Sequence, residues 1–347
     1  MTIPSSLMMF TSLGLGTTMV LASNHWFFAW MGLEINTLAI IPLMTSERTA
    51  RASEAATKYF LIQATASATL LFGALYNAHL TGEWTIVNPQ NPAATVLITL
   101  ALAMKLGLAP LHAWMPEVLQ GVNYITGFII ATWQKIAPLC LISQVFPTPT
   151  PLLMLLGFLS VLVGGLGIHN QVQLRKILAY SSIAQLGWMA AIIPFSLKLT
   201  FLMMALYIIM AFPLSYFIKN GGMHINTSPL VSTKIPTFTF LFPLLMMSLA
   251  GLPPLTGFIS KLFPIMGMLA SNLTLYPALL AITSLLGMFF YMRFTFMTTL
   301  LFPPTLPKSA LAWRMPRQQS NPLPTLAATL SLTTLPLAPT LWGLIWP

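Results

Sequence analysis

The sequence predicts an all-α protein that crosses a membrane many times. The first observation is composition, since 56% of the 347 residues are hydrophobic and 6% are charged. A soluble domain carries about 25% charged residues. So few charged residues cannot cover a water-exposed surface, so lipid must surround most of the exterior. The other two observations are the length of the apolar stretches and the distribution of the basic residues.

The apolar stretches predict about eleven membrane-spanning helices, since one crossing needs about 20 mostly apolar residues. They lie at roughly 3–22, 25–44, 58–78, 94–120, 122–145, 151–169, 175–194, 197–219, 237–271, 274–299 and 323–346. The fourth and ninth are too long for one straight crossing. The fourth contains Pro110 and the ninth contains Pro253-Pro254 beside Gly251, so we interpret each as one broken helix.

The basic residues support this count. With the N-terminus on one side of the membrane, nearly all loop lysines and arginines fall on that same side, as positive-inside topology requires. These residues are Arg48, Arg51, Lys58, Arg175, Lys176, Lys219, Lys234, Lys308, Arg314 and Arg317. The loops on the opposite side contain only Lys198. The N-terminus is therefore expected on the positive side and the C-terminus on the other.

The two broken helices indicate an inverted repeat. They are five spans apart, so they run in opposite directions, and their local sequences, KLGLAPL at 105–111 and AGLPPL at 250–255, are alike. We predict two five-helix inverted repeats, 1–145 and 151–299, followed by a loop and a last span in 300–347, all within one membrane domain. Two simple proline kinks are the alternative interpretation.

Four ionisable residues lie near the middle of predicted spans: Glu34, Lys105, Lys135 and Lys261. A charge at that depth costs at least ~2.5–3.5 kcal/mol, and such residues are functional by default. Burial disfavours the charged form of a lysine and a nearby carboxylate favours it, so the combination is a switchable proton store. Glu34 is the acidic residue that lies deep enough to pair with Lys105. The alternative is a permanent Glu34–Lys105 ion pair that only joins two helices.

Two further residues are candidates for the same path. His112 follows the break in the fourth span. Either it bridges Lys105 to Lys135, directly or through water, or it is an interior histidine whose hydrogen bonds are made within the protein. Glu117 lies toward the positive side of that span and is a candidate for lining the route by which protons enter. Sodium transport fits less well, because Na⁺ needs several oxygen ligands and the sequence contains no aspartate.

Composition also excludes other classes of protein. Cys140 is the only cysteine, so an intrachain disulfide framework and a four-thiolate iron–sulfur site are both impossible. The basic residues are spread along the chain rather than clustered with aromatic residues, so no nucleic-acid binding is expected. The first basic residue is Arg48, so we expect neither a basic transit peptide nor a signal peptide with a charged start.

Three segments, 105–121, 174–187 and 248–261, resemble the signature motifs of the antiporter-like chains of respiratory complex I. The resemblance covers essentially the whole chain. It implies a proton-translocating subunit of the membrane arm, with no redox chemistry of its own. The alternatives are a free-standing cation/proton antiporter and a structural scaffold chain that moves nothing.

The resemblance also implies the roles of particular residues. Glu34 and Lys105 match the Glu–Lys pair of the first half-channel, Lys135 matches the linking lysine, and Lys261 matches the lysine of the second half. Bacterial members of the family have fourteen spans and the animal form lacks the first three, which agrees with eleven here.

The setting implied by the resemblance is the mitochondrial inner membrane, with the N-terminus in the matrix and the C-terminus in the intermembrane space. NADH, flavin mononucleotide, iron–sulfur clusters and ubiquinone would be bound by other subunits, with no cofactor in this chain. The expected partners are chain 4L, chain 4, accessory subunits and membrane lipids such as cardiolipin.

Overall fold

A computed structural model describes residues 3–87, 91–145, 150–221, 236–300 and 322–345. Within these ranges the chain is helical, and the β-structure is one isolated bridge between His25 and Thr85. The prediction of an all-α protein is therefore confirmed. Several basic residues of the topology prediction lie outside the described residues: Lys234, Lys308, Arg314 and Arg317, together with the predicted loop around the last three.

The described helices follow one another along the chain with short connections. They are α1 Ile3–Ala22, α2 Trp26–Met44, α3 Ala50–Thr81, α4 Pro92–Leu106, α5 Trp114–Gly121, α6 Tyr124–Ala131, α7 Trp133–Val145, α8 Thr150–Ile168, α9 Leu174–Ile192, α10 Leu197–Gly221, α11 Pro236–Ala250, α12 Ile259–Ala270, α13 Leu275–Leu300, α14 Pro322–Thr333 and α15 Ala338–Ile345. Seven helical segments of the described chain are long and apolar enough to cross a membrane, and α4, α11 and α12 are shorter apolar helices.

The outer faces of these helices carry large apolar side chains. On α1, Leu7 is 65% exposed and Met8 and Leu15 are each 69% exposed. On α13, Ile282 and Phe289 are each 63% exposed. Contiguous apolar surface of this kind is rare on soluble monomers. It fits helices whose solvent is lipid.

The helices form two compact units. The first contains residues 1–160 and 189–197, and the second contains residues 161–188 and 198–347. In the first unit α1 packs closely against α2 at a pair of glycines. A Cβ atom on Gly16 would lie 2.9 Å from the Gly32 carbonyl oxygen, so these two backbones approach as closely as small residues permit.

Helix α4 ends in the first unit where the sequence predicts a break. Gly107 has a φ of 77°, and the N–H groups of Gly107 and Leu108 both donate to the Ala103 carbonyl oxygen, at 2.9 and 3.0 Å. This is a left-handed glycine cap, which stops a helix and satisfies its last carbonyls. Residues 107–113 are not helical, and α5 begins at Trp114.

Helix α11 ends in the second unit in a similar way. Gly251 has a φ of 82°, its N–H donates to the Ser248 carbonyl oxygen at 3.0 Å, and α12 begins at Ile259. A Cβ atom on Gly257, in the short 3₁₀ turn before α12, would lie 1.5 Å from the same Ser248 oxygen. The second break therefore requires glycine for its backbone angle and again for its close packing.

Two C-terminal helices, α14 and α15, contact the residues around the second break. The Thr256 hydroxyl donates to the Ser331 carbonyl oxygen of α14. The Phe263 ring of α12 packs on Trp342 of α15, with ring centroids 5.2 Å apart. The last two described helices therefore close over the residues that surround the break.

The stretch that the sequence predicts as one fifth span, 122–145, is interrupted at Thr132. Its φ and ψ of −121° and −69° are not helical, and its hydroxyl donates to the Phe128 carbonyl oxygen at 2.7 Å. Back-bonding of this kind bends helices. Helices α6 and α7 meet at this residue, which lies three positions before Lys135.

Candidate functional site

Two of the predicted lysines lie together in the first unit. Lys105 occupies the last turn of α4 and is 5% exposed, and Lys135 of α7 is 2% exposed. Both line one buried cavity of about 10 Å³, which is room for about one water molecule. The cavity is lined by Leu33, Thr37, Tyr59, Gln63, Lys105, Trp114, Ile130, Gln134, Lys135 and Pro138. The structure thus brings two buried amines to one small polar space.

Burial disfavours a charge on Lys105, and two features of its surroundings oppose that effect. The residue lies in the last turn of α4, where the helix dipole is negative. The Glu34 carboxylate also interacts with it electrostatically. Among the described residues the Lys105 ammonium has no hydrogen-bond partner and forms no direct ion pair with Glu34. The carboxylate therefore influences Lys105 through space, without a contact that ties α2 to α4.

Lys135 follows the interruption between α6 and α7. Its backbone N–H donates to the Thr132 carbonyl oxygen at 3.2 Å, so the lysine begins the first turn after the bend. The adjacent Gln134 lines the same cavity. Two consecutive residues of α7, directly after the interruption at Thr132, therefore line the space beside Lys105.

His112 and Glu117 lie away from this cavity. His112 belongs to the segment between α4 and α5, and it is not among the residues that line the cavity. Glu117 of α5 accepts a hydrogen bond from the Lys58 ammonium at 2.9 Å. Lys58 also lies 2.7 Å from Glu54, and the side chains of all three are 42–63% exposed. Their assignment to a proton path remains a prediction.

The cavity also has polar walls that the sequence analysis missed. Tyr59 and Gln63 are four positions apart on α3, so they share one helix face, and they are 2% and 3% exposed. Tyr59 also interacts electrostatically with Glu34. A glutamine one turn after a tyrosine inside an apolar span is the signal that could have found them. A buried amide at this depth is costly unless it has polar partners.

Lys261 lies in the second unit, in the first turn of α12. Its ammonium donates to the carbonyl oxygen of Ala250, the last residue of α11. The aliphatic stem lies over Gly251, where an added Cβ atom would come within 2.8 Å of the lysine Cδ and Cε atoms. The side chain therefore reaches back across the break to the end of the preceding helix.

Two cavities in the second unit are lined by Lys261. One has a volume of about 30 Å³ and polar walls that include Ser181, Gln185 and Tyr291. The other, of about 410 Å³, is lined mostly by apolar residues of α12, α13 and the segment between α11 and α12. In the part of the chain that the structure describes, no three His, Cys, Asp or Glu side chains come together as metal ligands.

Comparison with known proteins decides the family. The profile described as "NADH:quinone oxidoreductase/Mrp antiporter, TM" matches residues 23–299, and "NADH dehydrogenase subunit 2 C-terminus" matches residues 288–342. The chain belongs to the NADH:quinone oxidoreductase/Mrp antiporter family. The resemblance that the three sequence motifs carry is therefore confirmed for this family over most of the chain.

Relatives in this family match over nearly their whole length. The chain is 48% identical over 331 residues to NADH-ubiquinone oxidoreductase chain 2 of Xenopus laevis, covering 95% of this chain and 96% of the relative. It is 49% identical over 338 residues to the protein of the same name from Salmo salar, covering 96% and 97%.

Solved structures of the family share the fold. A chain of respiratory complex I from Thermus thermophilus with bound aureothin superimposes with a TM-score of 0.83 at 26% identity, covering 97% of this chain and 79% of that one. A chain of the Mrp complex from Dietzia sp. DQ12-45-1b gives a TM-score of 0.79 at 19% identity, covering 96% and 74%. At that lower identity the likeness concerns the fold alone.

Proposed function

We propose that the chain is a proton-translocating membrane-arm subunit of respiratory complex I. Electron transfer from NADH to ubiquinone would take place in other subunits, and this chain would move protons in response. The observation that carries the proposal is the pair Lys105 and Lys135, two buried amines that line one cavity. It is joined to whole-length similarity with NADH-ubiquinone oxidoreductase chain 2. The setting is a multi-pass protein of a mitochondrial membrane, in keeping with the animal relatives and the apolar helices.

The proposed topology has eleven spans in two inverted repeats. Helices α4 and α5 together form one interrupted crossing, and α11 and α12 form the other. The two left-handed glycine caps, Gly107 and Gly251, support this equivalence, because each ends a helix beside a functional lysine. The N-terminus would face the matrix, where the predicted basic loops lie, and the C-terminus would face the intermembrane space.

The proposed proton path in the first unit runs through the shared cavity. Lys105 would take up a proton from the matrix side, with His112 as a relay and Glu117 near the entrance. The Glu34 carboxylate would favour the charged form of Lys105. A water in the cavity would then carry the proton to Lys135. Like charges that border one buried cavity repel each other, so charging one lysine disfavours the charge on the other.

Lys261 would receive the proton in the second half of the path. Lys105 lies in the last turn of α4, and Lys261 donates to the carbonyl oxygen of the last residue of α11, so both lie near a helix C-terminus, where the dipole favours a cation. Conformational or electrostatic signals from quinone reduction elsewhere in the complex would change the balance between these sites. This assignment leaves NADH, flavin mononucleotide, iron–sulfur clusters and ubiquinone to other subunits. It makes chain 4L, chain 4, accessory subunits and lipids such as cardiolipin the neighbours.

The test is proton uptake per NADH oxidised, in vesicles that contain the whole complex with Lys105→Met. An assembled complex in which oxidation and pumping both fall places Lys105 in an obligatorily coupled path. Normal oxidation with a lower proton yield places it in a path that can slip. Lys198→Met is the matched control, because it makes the same substitution at an exposed lysine.

Normal values for Lys105→Met would contradict the proposal. They would favour a scaffold chain whose buried lysines serve assembly alone. A free-standing antiporter makes a different prediction, which is cation-dependent proton flux in vesicles that contain this chain without the rest of the complex.

A further inference from the structure

The motif at 105–121 contains a buried tryptophan that the proposed path does not use. Trp114 begins α5, is 5% exposed, and lines the cavity that Lys105 also lines. Its indole N–H donates to the Met104 carbonyl oxygen at 3.2 Å. An indole nitrogen is a donor only, so this side chain does not relay protons. Its contribution to the site therefore lies in the groups that it holds.

Trp114 contacts the end of α4 on both sides of Lys105. The Met104 carbonyl oxygen accepts one hydrogen bond from the Gly107 N–H and one from the indole, each at 3.2 Å. A carbonyl oxygen has two lone pairs, so these two donors occupy both. A Cβ atom on Gly107 would lie 3.3 Å from the indole Cζ2 atom, so the ring lies against the backbone of the helix cap. The indole thus fixes the turn from which the Lys105 side chain extends.

Helix α5, which begins with Trp114, is docked on α3. The Trp114 ring packs edge-on against Tyr59 of α3, with ring centroids 5.7 Å apart. One turn further along α5, the Glu117 carboxylate accepts a hydrogen bond from the Lys58 ammonium at 2.9 Å. That ion pair is exposed and contributes little to stability, whereas both rings are buried. The ring contact is therefore the stronger of these two connections.

The end of α5 touches the backbone of α3. A Cβ atom on Gly121 would lie 2.7 Å from the Arg51 carbonyl oxygen and 2.7 Å from the Ala55 Cβ atom. Glycine therefore lets the two helices approach as closely as their backbones permit. The residue numbers of the α3 contacts fall as those of α5 rise, so the two helices are antiparallel along the whole of α5.

We propose that Trp114 is the positioning residue for Lys105 and is itself held by the docking of α5 on α3. The inference rests on the proposed function, and it names the contact that keeps the lysine beside the cavity shared with Lys135. Among the described residues the Lys105 ammonium has no hydrogen-bond partner, so its own contacts do not fix it. The indole does so through the backbone of the same turn.

Loss of the indole N–H also changes the electrostatic field at the lysine. Carbonyl groups at the C-terminal end of a helix favour a cation, and a donor bound to one of them reduces that effect. Without the indole the Met104 oxygen keeps one donor, so the ammonium form of Lys105 persists to higher pH. The titratable groups of the elements around Lys105 stay in place: Glu34 of α2, Tyr59 of α3, His112 of the segment before α5 and Lys135 of α7.

The experiment measures NADH-driven proton uptake against the pH of the uptake side, in vesicles that contain the whole complex with Trp114→Phe. Phenylalanine keeps an aromatic ring beside Tyr59 and removes the donor. We expect the profile to move to higher pH by about one unit, at an unchanged amount of assembled complex. A purely structural role would change that amount and leave the profile in place. Trp133→Phe is the matched control, because Trp133 is 45% exposed and does not line the cavity.

Gly121→Ala tests the docking on α3 at a residue that does not line the cavity. The added Cβ atom meets the backbone of α3, so α5 must shift and carry Trp114 with it. We expect the profile to move in the same direction as in Trp114→Phe. Gly14→Ala is the control and should leave the profile unchanged, because nothing lies within 4 Å of its added Cβ atom. A shift in Trp114→Phe without one in Gly121→Ala overturns the role of α3.

A Trp114→Phe profile that coincides with the profiles of Trp133→Phe and the unmodified complex overturns the inference. Lys105→Met separates this result from a failure of the proposed function. If Lys105→Met lowers proton uptake and Trp114→Phe leaves the profile in place, Lys105 acts without help from the indole. If Lys105→Met changes nothing, the proposed function itself fails.

Discussion

The interruption after α4 and the interruption after α11 have their lysines on opposite sides. Lys105 precedes Gly107 and belongs to the helix that ends there, whereas Lys261 follows Gly251 and belongs to the helix that begins after it. Lys105 lies in the last turn of α4, and among the described residues its ammonium has no hydrogen-bond partner. Lys261 reaches back across the interruption and donates to the Ala250 carbonyl oxygen at the end of α11. Of these two lysines, Lys261 is therefore the one that a helix-end carbonyl holds.

The two lysines also differ in what surrounds their charge. Lys105 is influenced by the Glu34 carboxylate and lines a cavity with room for about one water molecule. The Lys261 ammonium donates a hydrogen bond to a backbone carbonyl oxygen. It lines a cavity about three times larger, whose walls include serine and tyrosine side chains. We therefore expect Lys105 to respond to charges nearby and Lys261 to respond to the geometry of its break.

The largest expected effect comes from Gly251→Ala. The new Cβ atom must occupy a left-handed backbone position and come within 2.8 Å of the Lys261 stem. Strain of this kind costs about 1–3 kcal/mol. We expect lower thermal stability of the assembled complex and reduced proton uptake. Gly82→Ala is the control, because Gly82 has a φ of 75° with nothing within 4 Å of the added Cβ atom. Equal loss in both variants would show that the contact with Lys261 is unimportant.

The next effect is that of Glu34→Gln, which removes the charge beside Lys105 and keeps its shape. We expect proton uptake to fall by about tenfold, less than in Lys105→Met, because the lysine remains but loses its stabilising carboxylate. Glu83→Gln makes the same change at an exposed residue and should leave uptake unchanged. A normal rate of proton uptake in Glu34→Gln would show that the carboxylate has no part in the mechanism.

A smaller effect is expected at the cap of the first break. The Trp114 indole Nε1 donates to the Met104 carbonyl oxygen at 3.2 Å, which satisfies a group that the end of α4 sets free. Trp114→Phe should lower the free energy of unfolding by about 1 kcal/mol, measured by thermal denaturation of the complex in detergent. Trp133→Phe, at a residue that is 45% exposed, is the comparison. Equal shifts in both would mean that the hydrogen bond contributes nothing.

The smallest effect is expected at the exposed ion pairs of Lys58. Solvent and salt screen such pairs, so Lys58→Met should change NADH oxidation by less than about twofold, and Lys58→Arg should change nothing. Glu117→Gln tests the proposed entrance at the same place. A fall in proton uptake much larger in Glu117→Gln than in Lys58→Met would assign the carboxylate to the path.

The sequence predicts the helical breaks because glycine and proline restrict or permit particular backbone angles. Pro110 and the segment from Gly251 to Pro254 indicate the two interruptions for this reason, but the first helix ends before its proline, at Gly107 in the left-handed conformation. The interruption at Thr132 could not be predicted, because threonine also occurs within regular helices. The bend is associated with the hydrogen bond from the Thr132 hydroxyl to the Phe128 carbonyl oxygen, which the sequence does not specify. The hydrogen bond from the Lys261 ammonium to the Ala250 carbonyl oxygen depends on the rotamer of a flexible side chain, and no sequence pattern predicts that rotamer.

The polar walls of the cavities were harder to predict than the charged residues. Gln63 and Gln185 are uncharged, so they stand out less in an apolar span, and their partners come from helices distant in sequence. Tyr291 and Ser181, which line the same cavity, are 110 positions apart in the sequence. Such pairs become visible only when the helices have been packed.

The contacts of Thr256 with Ser331 and of Phe263 with Trp342 join the surroundings of Lys261 to α14 and α15. A substitution in either of these helices can therefore shift the first turn of α12, and Lys261 with it, without changing any residue that lines the cavities beside the lysine.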